Sequence, residues 1–320
     1  DRHPGGKLMK LTILSPGPLT TVQDSGRFGA LGKGFSPGGA MDMDAMTVAN
    51  LLVGNAPGVG VLEMTMLGIT ARFDCESAIA LTGADMSARL NDRPIARYAS
   101  VAVHPGDVLT MGAASRGMRA YLAVTGGFDL PLVMGSVSTN LKCALGGFQG
   151  RKLKTGDELP LNQSGAPFLP RQVSPPEDYP DCISLRVLLG PQDDAFTQKG
   201  IDTFLGCEYT VTDKADRMGI RLSGEIIESK NGVDILSDGI AAGSVQIPTS
   251  GTPIIMMADR QTTGGYAKIA TVISADLSRA AQARPGTRIR FVRVTEAEAI
   301  RLRRDAEKKR KQLEYELLYR

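Results

Sequence analysis

Histidine is scarce in this sequence, which contains only His3 and His104 among 320 residues. We expect the native chain to begin at Met9, because residues 1–8 resemble a leader added for expression and the first apolar pattern begins at Leu11. His104, beside a Pro-Gly turn, is then the only native imidazole. A catalytic pair in which histidine activates a serine or cysteine would depend on this one residue, so we disfavour that class of enzyme.

Cysteine is also sparse, and the four cysteines are far apart in the sequence. Cys75, Cys143, Cys182 and Cys207 form no C-x-x-C pair and have few histidines to join them as ligands. Structural zinc sites usually show such pairs at short spacing. The sequence therefore predicts neither a zinc site nor disulfide bonds, and we expect no metal bound by this chain's own side chains.

Long apolar runs and a strong charge of one sign are both missing. No apolar run approaches the roughly 20 residues that a membrane-spanning helix needs, and the N-terminus has no signal-peptide core. The net charge is only +3, which gives the whole chain no preference for a polyanion. We therefore expect a cytoplasmic protein that binds neither membranes nor nucleic acid.

Three familiar functional motifs fail on inspection. Gly32-Lys33 lacks the glycine five residues earlier and the following hydroxyl of a phosphate-binding loop. Ser115 has Ala113 where a nucleophile elbow needs glycine. Lys10 follows Met9 but precedes Leu11, so it lacks the second methionine of a biotin-carrying lysine. We expect no biotin attached to this chain.

The sequence is rich in short β-branched runs separated by turn residues. Its 37 glycines and 18 prolines supply many turns, and short strands separated by many turns are typical of barrels or sandwiches. Alternation and β-branching predict a mainly β protein with a few helices. The clearest predicted strands are 69–73, 79–81, 101–103, 120–124 and 289–294.

Capping signals predict four helices. Asp42 precedes the first and Gly54 ends it, Gly206 ends the second, and Pro285 stops the third. Thr295 and Glu298 form a capping box before the fourth, whose basic run Arg301 to Lys311 we interpret as a solvated face. The predicted helices are 43–53, 194–205, 274–284 and 295–318.

Length and proline content predict two domains. A chain of 320 residues exceeds the roughly 150 residues of an average domain, and the proline-rich stretch 163–181 is the best linker. Pro105-Gly106 and Pro285-Gly286 each precede a predicted strand, and this weak internal repeat indicates a duplicated barrel. We predict domains at 9–165 and 182–294, followed by a charged helix at 295–320.

Polar residues recur within glycine-rich turns, and their order carries a family resemblance. It extends from about residue 11 to residue 291. The motifs are Thr20-Thr21-Val22-Gln23-Asp24-Ser25-Gly26-Arg27-Phe28-Gly29, Gly34-Phe35-Ser36-Pro37-Gly38-Gly39-Ala40-Met41-Asp42, Gly135-Ser136-Val137-Ser138-Thr139, Gly190-Pro191-Gln192, Asp216-Arg217-Met218-Gly219-Ile220-Arg221-Leu222, Val245-Gln246-Ile247-Pro248 and Asp259-Arg260-Gln261-Thr262-Thr263-Gly264-Gly265-Tyr266. Together they resemble the allophanate hydrolase subunit 2, or biotin-dependent carboxyltransferase-like, family, which includes the C subunit of bacterial 5-oxoprolinase.

The resemblance implies a fold and a function. The fold would be two cyclophilin-like β-barrel domains in tandem. The function would be that of one component of an ATP-dependent 5-oxoprolinase complex, which opens 5-oxoproline to L-glutamate. The partners would be homologues of the B and A subunits of 5-oxoprolinase. ATP with magnesium would act through the complex, and the isolated chain would be inactive. Two alternatives stay open: a component of a biotin-dependent carboxyltransferase related to urea carboxylase or allophanate hydrolase, and a non-catalytic antagonist of a kinase inhibitor.

The same motifs supply the candidate site residues. Arginine can hold a carboxylate or phosphate through paired hydrogen bonds, aspartate can orient a proton or a magnesium-bound phosphate, and hydroxyls and amides beside glycine suit close approach of a planar amide. The candidate catalytic residues are Asp24, Arg27, Asp259 and Gln261, and the candidate substrate-binding residues are Gln23, Ser138, Gln246, Arg217, Arg260, Thr262, Thr263 and Tyr266.

We expect the loops 23–27 and 259–266 to face one cleft, because ligand sites often form between domains. A structural interpretation competes with this one. Buried polar turns must be hydrogen-bonded whether or not they bind a ligand, so the residues of the first loop could equally be scaffold.

Overall fold

A computed structural model of the chain describes residues 9–162, 168–176 and 179–319. Within these residues the protein is mostly β, with four α-helices, as predicted. Residues 1–8, predicted from the sequence to be a leader, and part of the proline-rich linker lie outside the described residues. None of the described helices combines the length and the apolar character needed to cross a membrane.

The described residues divide into two compact units. Unit 1 contains those within 1–27, 43–177 and 314–320, and unit 2 those within 28–42 and 178–313. Each unit has its own apolar core.

The described residues of unit 1 include eleven strands in two sheets and the helix α1 (Met43–Leu52). The six-stranded sheet has the order β11-β1-β4-β9-β6-β7 and the five-stranded sheet the order β2-β3-β10-β5-β8. The strands are β1 (Lys10–Ser15), β2 (Thr20–Gln23), β3 (Val61–Thr65), β4 (Thr70–Phe73), β5 (Ser77–Asp85), β6 (Arg89–Leu90), β7 (Arg93–Pro94), β8 (Ser100–Val103), β9 (Val108–Thr110), β10 (Arg116–Val124) and β11 (Glu158–Pro160).

The two sheets of unit 1 share one core, to which β1, β2, β4, β5 and β10 all contribute. Helix α1 packs against β5 and β10, so these strands are covered on both faces and nearly all their residues are buried. A strand covered on both faces has no polar alternation to mark its ends. The sequence therefore predicted only part of each strand, residues 79–81 of β5 and residues 120–124 of β10.

Unit 2 contains a closed seven-stranded barrel in the order β12-β19-β16-β17-β14-β13-β20. Parallel pairing of β20 with β12 closes it, and alternate residues Ile183, Leu185 and Val187 of β12 point into the core. A separate ribbon pairs β15 with β18. The strands are β12 (Cys182–Leu189), β13 (Tyr209–Val211), β14 (Gly219–Ser223), β15 (Asp234–Gly239), β16 (Ser244–Gln246), β17 (Ile254–Met256), β18 (Thr263–Tyr266), β19 (Lys268–Val272) and β20 (Arg288–Arg293).

Two predicted helices are shorter in the structure. Helix α2 is Gln198–Gly206, and Asp193–Ala195 forms a separate 3-10 turn. Phe196 is extended and the Thr197 hydroxyl accepts from the Gly200 N–H at 3.0 Å, so a new cap starts the helix later than predicted. Helix α3 is Leu277–Ala281, after a 3-10 turn at Ser274–Asp276, and ends well before Pro285.

The fourth helix and its cap are confirmed. Helix α4 is Glu296–Leu318. Thr295 N–H donates to the Glu298 carboxylate at 3.0 Å, and the Glu298 N–H donates to the Thr295 hydroxyl at 3.2 Å, which is the predicted capping box. None of its residues is buried.

Candidate functional site

The first candidate loop lies at the end of β2, beside residues 136–139. The Asp24 carboxylate accepts from the Ser136 hydroxyl and the Val137 N–H at 2.7 Å, from the Ser138 hydroxyl at 2.5 Å and from the Gly26 N–H at 2.7 Å. The Asp24 N–H in turn donates to the Ser138 hydroxyl at 3.0 Å. Four donors saturate this carboxylate, so Asp24 and Ser138 hold the two segments together.

Gln23 and Arg27 belong to the same loop, but each has side-chain atoms without a hydrogen-bond partner among the described residues. Both are buried, Gln23 at 0% and Arg27 at 1% exposure. Arg27 Nη2 donates to the Ser138 carbonyl, and Gln23 Nε2 donates to the Thr139 carbonyl at 3.2 Å. Arg27 Nε, Arg27 Nη1 and Gln23 Oε1 have no partner among the described residues. Buried polar atoms rarely stay unpaired, so these three indicate a missing partner.

Gly146 allows this close packing. Its φ is +66°, in the left-handed region, and a Cβ there would overlap the Ser138 carbonyl and come 2.8 Å from Arg27 Nη2. Any side chain at this position would force the guanidinium and its carbonyl partner apart. Gly146 therefore contributes to the position of Arg27.

In unit 2 the structure pairs two predicted site residues with each other. Arg217 donates to the Asp259 carboxylate from Nε at 2.8 Å and from Nη2 at 3.0 Å. Nη2 also donates to the Gly39 carbonyl at 2.7 Å. Both side chains are largely buried. This arrangement fixes the start of the second candidate loop to the turn before β14.

Arg260, next in the chain, has no such carboxylate. Its Nε donates to the Ile240 carbonyl at 2.9 Å and its Nη1 to the Met257 carbonyl at 3.2 Å. It forms no ion pair within the described part of the chain, and burial lowers the pKa of its guanidinium. Unit 2 thus retains an uncompensated buried cation at Arg260, as unit 1 does at Arg27.

The rest of the second candidate loop leads into β18 and then forms this strand of the two-stranded ribbon. Gln261 and Thr263 are exposed, Thr262 is half-buried, and Tyr266 is 38% exposed. Buried Gln246 donates to the Tyr266 carbonyl at 3.4 Å, and a Cβ at Gly264 would come 2.9 Å from Gln246 Nε2. The structure therefore brings Gln246 to β18, with exposed amide and hydroxyl groups beside it.

Three further residues at this place were missed by the sequence reasoning. The buried Lys268 ammonium binds the Asp238 carboxylate of β15 at 2.7 Å. Gln192 accepts from the Lys268 N–H at 3.2 Å and donates to Asp238 at 3.4 Å. A lysine inside the apolar run Ala267-Lys268-Ile269-Ala270 was the available signal, because an isolated buried charge needs a partner.

His104 is exposed, with its Nε2 3.7 Å from Glu76 and its Nδ1 3.5 Å from Asp107. No hydrogen bond joins its imidazole to a serine or cysteine of the described ranges. The expectation that the loops 23–27 and 259–266 face one cleft stays a prediction.

Comparison with known proteins identifies a family and close relatives. The family model for the carboxyltransferase domain, subdomain A and B, matches residues 33–293. The chain is 40% identical over 307 residues to the C subunit of Escherichia coli 5-oxoprolinase, covering 96% of this chain and 98% of that protein. It is 41% identical over 297 residues to the C subunit of Haemophilus influenzae 5-oxoprolinase, covering 93% and 95%. The family resemblance drawn from the motifs is confirmed.

Among solved structures, the urea amidolyase of K. lactis contains a part that is similar to this chain. The two superpose with a TM-score of 0.88 at 31% sequence identity. The match covers 97% of this chain and 20% of the amidolyase chain, so this chain spans about a fifth of that protein.

Proposed function

This chain belongs to the family of the carboxyltransferase domain, subdomain A and B, and we propose that it acts as the C-type subunit of an ATP-dependent 5-oxoprolinase complex that opens 5-oxoproline to L-glutamate. The observation that carries the proposal is the 40% identity to the C subunit of Escherichia coli 5-oxoprolinase across 98% of that protein. A match over almost the full length of both chains supports the same role better than a match to one part of a larger enzyme.

The chemistry requires groups that hold anions. A lactam resists hydrolysis, and transfer of a phosphoryl group from ATP to its oxygen would make its carbonyl carbon a better electrophile. The proteins must then position substrate, ATP and water and stabilise the developing negative charge. Arg27 and Arg260 are buried and have no carboxylate partner among the described residues, which supports a role of this chain in binding the carboxylate or phosphate groups.

Activity would be shared with partner chains. The sequence contains no phosphate-binding loop, and exposed His104 forms no hydrogen bond with a serine or cysteine in the part of the chain that the structure describes. We propose that a homologue of the 5-oxoprolinase B subunit, the B-type partner, forms one functional unit with this chain. A homologue of the A subunit, the A-type partner, would complete the complex. ATP and magnesium would bind through that complex, and the isolated chain would be inactive.

A carboxyltransferase component is the second candidate, because the fold superposes on one part of urea amidolyase. In that case the chain would receive a carboxyl group from biotin carried on another protein. A role as an antagonist of a kinase inhibitor is a third candidate that would need no turnover.

One assay separates these candidates. The chain is mixed with its B-type and A-type partners, and 5-oxoproline and ATP consumption and glutamate formation are measured. Glutamate formation that needs all three chains supports the proposal, whereas robust turnover by the isolated chain contradicts shared activity. Absence of turnover by the assembled complex, with carboxylation of urea when a biotin carboxylase is added, would favour the second candidate.

A further inference from the structure

Three unpaired atoms at the end of β2 define the hydrogen bonds that a ligand would have to supply. Arg27 Nε and Nη1 are donors, Gln23 Oε1 is an acceptor, and none has a partner in the described residues. A buried cation with unpaired donors is costly. The same fold buries Asp24 nearby and satisfies it with four donors, so at this turn the missing partners are those of Arg27 and Gln23.

The orientation of the Gln23 amide follows from its partners. Its Nε2 lies 3.2 Å from the Thr139 carbonyl and 2.9 Å from the Thr21 hydroxyl. A carbonyl oxygen can only accept a hydrogen bond, so the amide nitrogen must face Thr139. The unpaired atom is therefore the amide oxygen, and it can receive a hydrogen bond only from a donor.

Gln23 and Arg27 are anchored to the same short segment. Gln23 binds the carbonyl of Thr139 and Arg27 binds the carbonyl of Ser138. These are successive residues, and successive Cα atoms are about 3.8 Å apart. The two side chains are therefore held by neighbouring carbonyls of one segment.

Asp24 does not neutralise Arg27. The groups that donate to the Asp24 carboxylate are hydroxyls and N–H groups of residues 26 and 136–138, and Arg27 forms no ion pair with any described carboxylate. Its free donors suit a ligand anion, and a carboxylate supplies both a negative charge and the acceptor oxygens that these donors need.

We propose that Arg27 and Gln23 form a subsite that binds a carboxylate and an N–H group attached to one carbon atom. Arg27 Nε and Nη1 donate to the carboxylate, and Gln23 Oε1 accepts from the N–H. Cyclic or acylated amino acids have this pattern. The choice of 5-oxoproline as the ligand rests on the proposed function, since its ring N–H and carboxylate share a carbon and its lactam carbonyl stays free for reaction.

Calorimetry with matched ligands tests the subsite on the full chain, alone and with its B-type partner. The probes are 5-oxoproline and its lactone analogue, 5-oxotetrahydrofuran-2-carboxylate, in which a ring oxygen replaces the N–H. We expect the lactam to bind at least about tenfold more tightly, equal to about 1.4 kcal/mol, because the lactone leaves Gln23 Oε1 unpaired. Gln23→Met, similar in shape, should reduce this preference to within about twofold.

Arginine variants provide the second arm. Arg27→Met should weaken 5-oxoproline binding at least about tenfold, whereas Arg72→Met, at an exposed arginine of the same unit, should leave it unchanged. Equal binding of lactam and lactone by the unmodified chain, or no saturable binding in either preparation, would overturn the subsite. The lactam-to-lactone ratio of the unmodified chain decides the question even if a variant fails to fold.

The experiments distinguish an incorrect subsite from an incorrect proposed function. Turnover of 5-oxoproline by the complex, together with a lactam preference that Gln23→Met leaves intact, overturns the subsite alone. A lactam preference that Gln23→Met abolishes, without turnover by the complex, supports the subsite and overturns the proposed function.

Discussion

Arg217 and Asp259 bind each other through two parallel hydrogen bonds, Nε to Oδ2 at 2.8 Å and Nη2 to Oδ1 at 3.0 Å. Both belong to the motifs that suggested a site. This pairing anchors the loop that begins at Asp259. The same pairing occupies the edge of the Arg217 guanidinium that would otherwise bind a ligand.

Removal of Arg217 should therefore destabilise unit 2. Arg217→Ala leaves a largely buried Asp259 carboxylate without its partner, which typically costs about 3 kcal/mol or more. Urea unfolding followed by circular dichroism measures the change, and Arg221→Ala, at an exposed arginine of β14, is the control. A variant with unchanged stability that loses only the activity of the assembled complex would instead identify Arg217 as a ligand-binding residue.

Arg27 should behave in the opposite way. Arg27→Ala removes a buried cation with two unpaired donors, so the thermal midpoint should change little, while kcat/KM of the assembled complex falls at least about tenfold, or about 1.4 kcal/mol. Arg27→Lys keeps the charge but loses the planar guanidinium, and full activity in it would exclude bidentate recognition. A midpoint several degrees lower with normal activity would show that Arg27 is scaffold.

Gln261 is exposed at the approach to β18, so its removal should not affect stability. We expect Gln261→Ala to lower kcat/KM of the complex at least about tenfold with an unchanged thermal midpoint. Gln198→Ala replaces another exposed amide of unit 2 and should leave activity unchanged. Equal activity of the two variants would remove Gln261 from the site.

The Lys268–Asp238 pair should make stability depend on pH. The hydrogen bond from Lys268 lowers the pKa of Asp238 from its ordinary value of 3.8. A carboxyl group with a lowered folded-state pKa stabilises the protein above that ordinary value and loses this contribution as the pH falls through the folded pKa. The stability advantage of the unmodified chain over Asp238→Asn should therefore be constant near neutral pH and shrink below 3.8, as measured by urea unfolding. An advantage independent of pH would mean that the ion pair contributes nothing.

A stable complex with the B-type partner is the last expectation. Co-expression of a tagged B-type partner with this chain should give co-purification, and size-exclusion chromatography should give one peak. The tagged partner expressed alone controls for column binding. Two well-folded proteins that elute separately at micromolar concentration, without heat of mixing, would contradict the shared functional unit.

Local signals predicted the parts of the fold that depend on near neighbours. The capping box of Thr295 and Glu298 acts over three residues, and it was found where the sequence placed it. The start of α2 was predicted wrongly, because Asp193–Ala195 forms a separate 3-10 turn and the Thr197 hydroxyl caps a helix that begins after it. Both ends of β5 and the first residues of β10 were missed because packing by α1, which is distant in sequence, removes the polar alternation of these strands.

The sequence by itself determined the family and the mainly β character, since both depend on residue order and on local turn and strand preferences. It could not distinguish Asp24 from Arg27, three residues apart in one motif. Only the tertiary structure decided that the Asp24 carboxylate is satisfied by hydroxyls 112 and 114 residues away, while the Arg27 guanidinium is buried with two donors unpaired. The physical reason is that hydrogen-bond satisfaction inside a protein depends on which distant groups folding brings within reach.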